Sequence, residues 1–204
     1  MIQSTFDDLP PILEKIKKEY GFAIFDHGNY DLNIIGIRNL NSSRANLFDD
    51  KMIVAYLLDG KWITEEFIVT TDPSSYYLMK EDYKPCAIYY HPQQARGAYK
   101  IGLHRGKYEA LINTRAVKFW RDGNKDDHLD YKGEVYKQRI GLNIHRASQR
   151  AEGSHFIDLW SGGCQVFKYA DKRGFERFMW LCKQQVKSLG YPTFTYTLIA
   201  EGGE

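Results

Sequence analysis

The sequence predicts a mainly β fold with one late α-helix and an N-terminal helical appendage. Three observations carry this. Short stretches rich in aromatic and β-branched residues alternate apolar with polar and are cut by Gly, Pro, Asn and Asp turns. Aromatic residues make up 15% of the 204 residues, with 15 Tyr and 11 Phe, a bias towards strands. Helical periodicity is confined to two segments, one near each end. The length fits one domain with an appendage. Residues 1–48 are expected to form the helix-and-strand appendage and 49–204 the main β domain.

The first helix spans residues 12–20. Pro10 and Pro11 suit a first turn, and Gly21 stands where a C-terminal cap belongs. Ile12, Leu13, Ile16 and Tyr20 form a narrow apolar stripe, so this helix is expected to pack on the outside of the domain. Residues 22–25 form a short expected strand, and 26–29 a turn. A strand over 30–37 ends at Arg38, and 39–50 is loop-like. Residues 51–58 and 61–71 read as a hairpin around Asp59-Gly60. Residues 72–92 are irregular, with a short strand at 87–90. Strands at 97–102 and 110–113 flank His104-Arg105-Gly106. Further strands are expected at 117–120, 141–145, 166–169 and 194–199, and the late helix at 171–189, stopped by Gly190.

Composition excludes several classes. The net charge of +2 and pI near 8.3, without a long Lys/Arg run, give no reason to expect a nucleic-acid partner. No apolar run approaches the ~20 residues that span a bilayer. Residues 1–8 are acidic and lack the basic and apolar regions of a signal peptide, so the chain is expected to be made in a cytoplasm without one. Three cysteines without a C-x-x-C pair point away from a disulfide framework or zinc ribbon. His91, His104, His128 and His155 form neither H-x-H nor H-E-x-x-H, which argues against a zinc peptidase.

Chemistry concentrates in two places. His145 ends an apolar alternating run, and Cys164 follows Ser161-Gly162-Gly163 nineteen residues later. A thiol attacks a carbonyl as thiolate, and an imidazole is its usual activating base. Glycines before a nucleophile permit a sharp turn whose N–H groups can face a developing oxyanion. The expected catalytic set is therefore Cys164, His145 and Gly163, with a Cys164 thiol titrating below the ordinary ~8.5. The second place is Asp122-Gly123-Asn124-Lys125-Asp126-Asp127-His128-Leu129-Asp130. Asp122, Asn124, Asp126 and Asp130 have the spacing of oxygen ligands in a calcium loop, although the bidentate Glu is missing. A structural Ca2+ would rigidify that loop, and a solvated turn is the alternative. No cofactor is expected to be required for catalysis.

The histidine–cysteine stretch resembles the L,D-transpeptidase catalytic domain family. His145 matches the family's first histidine, and Ser161, Gly163 and Cys164 match the ends of its Ser-x-Gly-Cys motif. Arg96-Gly97-Ala98-Tyr99-Lys100-Ile101 resembles the family's Pro-x-Gly-x-Tyr/Phe-x-Ile segment, and the likeness covers about residues 50–190. Gly162, Arg146 and Val166 stand where the family has other residues. The resemblance implies a β-sandwich or barrel and a thioester acyl-enzyme formed on peptidoglycan stem peptides. The N–H groups of Gly163 and Cys164 would hold the oxyanion. Ser161, Gly162, Arg146, Tyr99, Arg96 and Trp160 are candidate substrate-binding residues, Arg146 being suited to a peptide carboxylate. The variant stretch from Trp160 to Val166 also resembles phage-type proteins with this domain. The expected activity is thus a phage lysin-like stem-peptide hydrolase, made in the host cytoplasm and reaching the wall by phage-mediated release or within the virion. A cross-linking L,D-transpeptidase and an inactive wall-binding or virion protein are the alternatives.

Overall fold

The computed structural model describes residues 9–42, 45–150 and 152–202; the acidic stretch 1–8, on which the signal-peptide reading rested, lies outside them. The order is α1 (Pro11–Tyr20), β1 (Asn33–Asn39), β2 (Asp50–Leu58), β3 (Lys61–Thr70), α2 (Ser75–Met79), β4 (Cys86–Tyr89), β5 (Gln93–His104), β6 (Tyr108–Asn113), β7 (Val117–Asp122), β8 (Tyr136–Gln138), β9 (Ile144–Arg146), β10 (Gln165–Phe167), α3 (Phe175–Leu189) and β11 (Thr193–Glu201). Eight strands close a barrel in the order β1-β11-β5-β6-β9-β10-β3-β2, and β4-β7-β8 form a second sheet. The protein is mainly β with a late helix, as the strand-rich composition predicts.

The local signals act as expected. Gly21 takes a left-handed conformation (φ 65°), and the Gly21 and Phe22 N–H groups bond to the Lys17 and Ile16 carbonyls, closing α1. Asp59 (φ 50°) and Gly60 (φ 77°) both adopt positive φ, the requirement of a tight two-residue hairpin turn. Leu13 and Ile16 of α1 pack on the outer face of the barrel against Ile35, Ile37, Ala55 and Ile199. The inner face carries Ile34, Val54, Tyr56, Phe67, Tyr99, Leu111, Ile144, Phe167, Tyr196 and Leu198, and α3 adds Phe175, Phe178 and Leu181 to the same core.

β1 departs from the expected appendage. It lies in the barrel, parallel to β11 and antiparallel to β2, so the boundary at 48/49 falls between two neighbouring barrel strands. Both of its faces are covered, Ile34 lying in the barrel core and Ile35 and Ile37 against α1. Gly36 lies where any side chain would overlap the Tyr196 hydroxyl. Residues 22–25 are not a strand, because side chains replace the ladder. Asn33 bonds the Phe25 N–H and carbonyl, and Gln94 does the same for Ala23. The expected strand at 141–145 is paired only over Ile144–Arg146.

The barrel floor holds a buried charge cluster. Arg38, fully buried, lies 3.0 Å from an Asp72 carboxylate oxygen. It donates to the Thr71 hydroxyl (3.0 Å), the Thr71 carbonyl (2.9 Å) and the Tyr89 carbonyl (2.8 Å), and lies 2.7 Å from His91 Nδ1. Burial and Arg38 lower His91 to about 4, so it meets the guanidinium as a neutral acceptor. Tyr131 donates to Asp72 (3.2 Å). Asp50 accepts the Asn39 N–H, the Thr71 N–H and the Thr71 hydroxyl. Burial, and next the Asp72 carboxylate, raise the Asp50 carboxyl to about 7. One cation thus faces two acids, and the cheaper state keeps a proton on Asp50.

Two outcomes are expected. Replacing Arg38 by Met strands the Asp72 charge and lowers stability in urea by about 3–5 kcal/mol. In the folded chain Asp50 holds its proton up to about 7, but an unfolded Asp releases it near ~3.9. Folding therefore takes up a proton between those values. The contribution is full below ~3.9 and is lost as pH rises through 7. The urea midpoint of the wild type should fall relative to Asp50→Asn from pH 4 to 7; a constant difference across that range would contradict the assignment.

Candidate active site

The site forms where the barrel ladder is shortest. β9 and β10 are three residues each and run parallel, with Val166 opposite His145. A single residue pair, Leu111 with Ile144, joins β9 to β6. Just before the two strands, the Gln165 N–H donates to the Asn143 carbonyl (3.0 Å), which sets Cys164 beside Asn143. Cys164 and His145 therefore line one cavity of about 230 Å³. Its wall also includes His104, Arg105, Asn143, Tyr83, Lys84, Arg121, Trp160 and Gly162.

The loop before Cys164 is fixed from behind. Ser161 is fully buried, with its hydroxyl 2.8 Å from the Asp72 carbonyl and 3.0 Å from the Cys164 carbonyl. The same hydroxyl accepts the Gly163 N–H (3.1 Å). Gly163 has φ 127°, and a side chain there would run into the Ala87 carbonyl. These contacts correct the expected role of Gly163. Its N–H is spent on Ser161 and does not face the cavity, whereas the Cys164 N–H has no acceptor among the described residues.

Two imidazoles line the same cavity as the thiol. The rings of His104 and His145 stack with centroids 4.0 Å apart and planes 25° from parallel. His145 is 2% exposed, and its Nδ1 lies 2.8 Å from the Arg146 carbonyl. A carbonyl only accepts, so this nitrogen carries the proton and Nε2 keeps the lone pair. The Asn143 side-chain oxygen accepts the Asn113 N–H (2.9 Å), which turns its amide nitrogen to His104 Nδ1 (3.2 Å). His104 therefore has the opposite tautomer, with Nδ1 accepting and the proton on Nε2. Tyr108 steadies the pair by donating to the Arg146 carbonyl (3.2 Å), its hydroxyl 3.4 Å from His145 Nδ1.

Desolvation decides the charges. Burial, and then His104, hold His145 down at about 3. Burial, with Arg105 and Arg146 nearby, holds His104 at about 4. The protein packed around the Cys164 sulfur raises the thiol to about 11, against the weaker pull of the Asn143 N–H and Arg105. This reverses the expected direction for the thiol, because no cationic imidazole is present to stabilise a thiolate. At rest the site is a neutral thiol beside neutral imidazoles, and the thiol donates to the Gly141 carbonyl at 3.7 Å. Arrangements of this kind deliver a proton to the base as attack occurs, without a preformed ion pair.

The remaining candidates separate. Gly162 and Trp160 line the cavity, and Ser161 lies behind it. Tyr99 is fully buried in the barrel interior, edge-on to Tyr196, because β5 alternates inward there. Arg96 points outward from β5 and lines a different cavity with Arg115, His27 and Asp31. The Arg146 guanidinium lies over the Tyr108 ring (4.1 Å) and borders a third cavity against α3. In the acidic loop, Asp122 accepts the Asp130 N–H, and Asn124 turns its amide nitrogen to the Asp126 and Asp130 carboxylates. Asn124 is thus set as a donor where a calcium ligand must present oxygen. The residues do not fit the ion as folded, and among the described residues no three His, Cys, Asp or Glu side chains are grouped to share a cation. The cavity residues His104, Arg105, Asn143 and Tyr83 were not expected. His104 ends β5 beside the Arg105-Gly106 turn, the one signal in the sequence that could have marked it.

Comparison with protein-family models, with curated proteins and with solved structures finds no match to this chain.

Thiol labelling checks this geometry. Cys86 is 1% and Cys182 0% exposed, whereas Cys164 is partly exposed. In the folded protein one cysteine should react with iodoacetamide ahead of the other two and be lost in Cys164→Ala. Its rate should still be rising at pH 9, with a midpoint near 11; a midpoint below 8 would show a stabilised thiolate instead.

Proposed function

We propose that this chain is a cysteine acyl-transfer enzyme that hydrolyses peptidoglycan stem peptides. The observation that carries the reading is the convergence of Cys164 and His145 on one cavity at adjacent strand ends. The substrate class rests on the L,D-transpeptidase resemblance of His145, Ser161, Gly163 and Cys164. It is supported by the cavity's charge. Lys84, Arg105 and Arg121 line it without an acidic side chain among the described residues, which suits the carboxylates of a stem peptide.

The thiol leaves the Gly141 carbonyl and attacks the acyl carbon, while His145 Nε2 takes its proton. The C–S bond forms and the carbonyl electron pair moves to oxygen. As the pair returns, the C–N bond breaks and the departing amine takes the proton from His145. Water, deprotonated by the same nitrogen, then adds to the thioester carbon; the C–S bond breaks, the Cys164 sulfur takes the proton back from His145, and a free carboxylic acid leaves. An amine acceptor in place of water makes the same acyl-enzyme a transpeptidase. In the hydrolytic reading the protein belongs with phage-type wall-degrading proteins, acting after release from the host cytoplasm or from within the particle.

Mass spectrometry of muropeptides after incubation with isolated sacculi tests this. Shortened stem peptides, absent with Cys164→Ala, are the expected result. New cross-links would identify a transpeptidase, and unchanged muropeptides with retained binding to sacculi would identify a wall-binding protein.

A further inference from the structure

We propose that His104 is a catalytic residue, its Nε2–H being the side-chain donor that holds the substrate's carbonyl oxygen as it becomes an oxyanion. This rests on the acyl-transfer reading of the cavity and assigns a group that the Ser-x-Gly-Cys resemblance does not supply.

The inference starts from a missing donor. An acyl-transferring thiol needs N–H groups aimed at the oxygen that takes the electron pair. The backbone candidate before the nucleophile, Gly163 N–H, is held by the buried Ser161 hydroxyl at 3.1 Å. The positive φ of Gly163 and the Ala87 carbonyl pressed against its Cα leave that peptide little freedom to turn round. The Cys164 N–H remains, but a single donor leaves the oxyanion underserved.

His104 fits the vacancy on three counts. It lines the same cavity as Cys164. Its tautomer is set from outside the cavity. The Asn113 N–H fixes the Asn143 amide, the Asn143 nitrogen faces His104 Nδ1, and the His104 proton is left on Nε2. That Nε2–H has no protein partner among the described residues. It is also not among the side-chain atoms that are both sealed from solvent and unpartnered, so it is reachable from solvent, and His104 lines this cavity. The stack on His145 then gives the two rings complementary tasks. His145 keeps its proton on Nδ1 and offers a lone pair, and His104 offers a proton that it does not release. Burial keeps both rings neutral, which preserves this division across physiological pH. Arg105 also lines the cavity, but on the exposed hairpin turn, where it suits a substrate carboxylate better than an oxygen held at the thiol.

In the step itself, the Cys164 sulfur bonds to the acyl carbon and the carbonyl pair becomes an oxyanion. That oxygen accepts from His104 Nε2–H and Cys164 N–H until the C–N bond breaks. His104 neither gains nor loses a proton over the cycle.

Two reactions of Cys164 separate this role from a structural one. Acylation, by a stem tetrapeptide or a p-nitrophenyl ester and read as acyl-enzyme by intact mass, passes through an oxyanion. Alkylation by iodoacetamide does not. His104→Phe keeps a stacked ring without a donor, and its acylation should fall on the order of 10²–10³-fold while alkylation is unchanged. His104→Gln, which retains an amide N–H, should recover much of the loss, and His145→Phe should lose acylation while Cys164 still alkylates along its own titration. If His104→Phe fails to fold, His104→Leu serves in its place. Wild-type acylation by His104→Phe, a parallel fall in its alkylation, or a His104→Gln variant as slow as His104→Phe would each overturn the proposal. A wild-type protein that alkylates but forms no acyl-enzyme with either donor would instead overturn the acyl-transfer reading itself, and the role of His104 with it.

Discussion

The buried Arg38 guanidinium is the interaction on which the rest of the structure depends. It lies at the end of β1 inside the barrel and ties together Thr71, Asp72, Tyr89 and His91, residues from two other stretches of chain. The cost of burying a cation is large, and only a full set of acceptors offsets it. That requirement fixes how the ends of β3 and β4 meet. The same Asp72 passes the constraint on, because its carbonyl lies in hydrogen-bonding reach of Ser161, whose hydroxyl holds the Gly163 N–H. The conformation of the cysteine loop is thus set by a charge cluster on the barrel floor.

Above this floor, the cavity is governed by desolvation. His145, His104 and Cys164 all shift towards their neutral forms, each with burial as the main cause. The positive charge that remains, on Lys84, Arg105 and Arg121, lies in the cavity wall. A neutral reacting centre inside a cationic rim separates two tasks. Under the proposed function, the rim would attract and orient an anionic substrate over distance, while the centre would offer a lone pair and N–H donors without repelling or trapping it.

The location of the site follows from barrel closure. Most neighbouring strands share long ladders, such as the nine paired residues of β2 and β3, but β9 and β10 pair over three. A short ladder frees the flanking residues 141–143 and 161–164 from sheet geometry. Gly141 and Gly163 take up positive φ there, and the Asn143 side chain is free to reach both Asn113 and His104. The candidate site sits where the regular hydrogen bonding stops.

Much of the fold was legible in the sequence because its signals are local. Gly21 and Gly190 close helices, Asp59-Gly60 makes a hairpin, and a narrow stripe puts α1 on the outside of the barrel. His145 and Cys164 were legible as a pair because each ends or begins a strand beside a turn. The sequence marked a strand there but could not reveal it as a barrel strand, since its partners β2 and β11 come later in the chain. Nor could it orient β5. Its alternation continues from Ala95, so Tyr99 turns inward and Arg96 outward. The stack of His104 on His145, the tautomers that Asn143 and the Arg146 carbonyl impose, and the loss of the Gly163 N–H to Ser161 all join residues distant in the chain or competing for one partner. The sequence by itself determined which groups could react. Tertiary structure alone decided which hydrogen bond each group makes, and therefore which groups remain free to act.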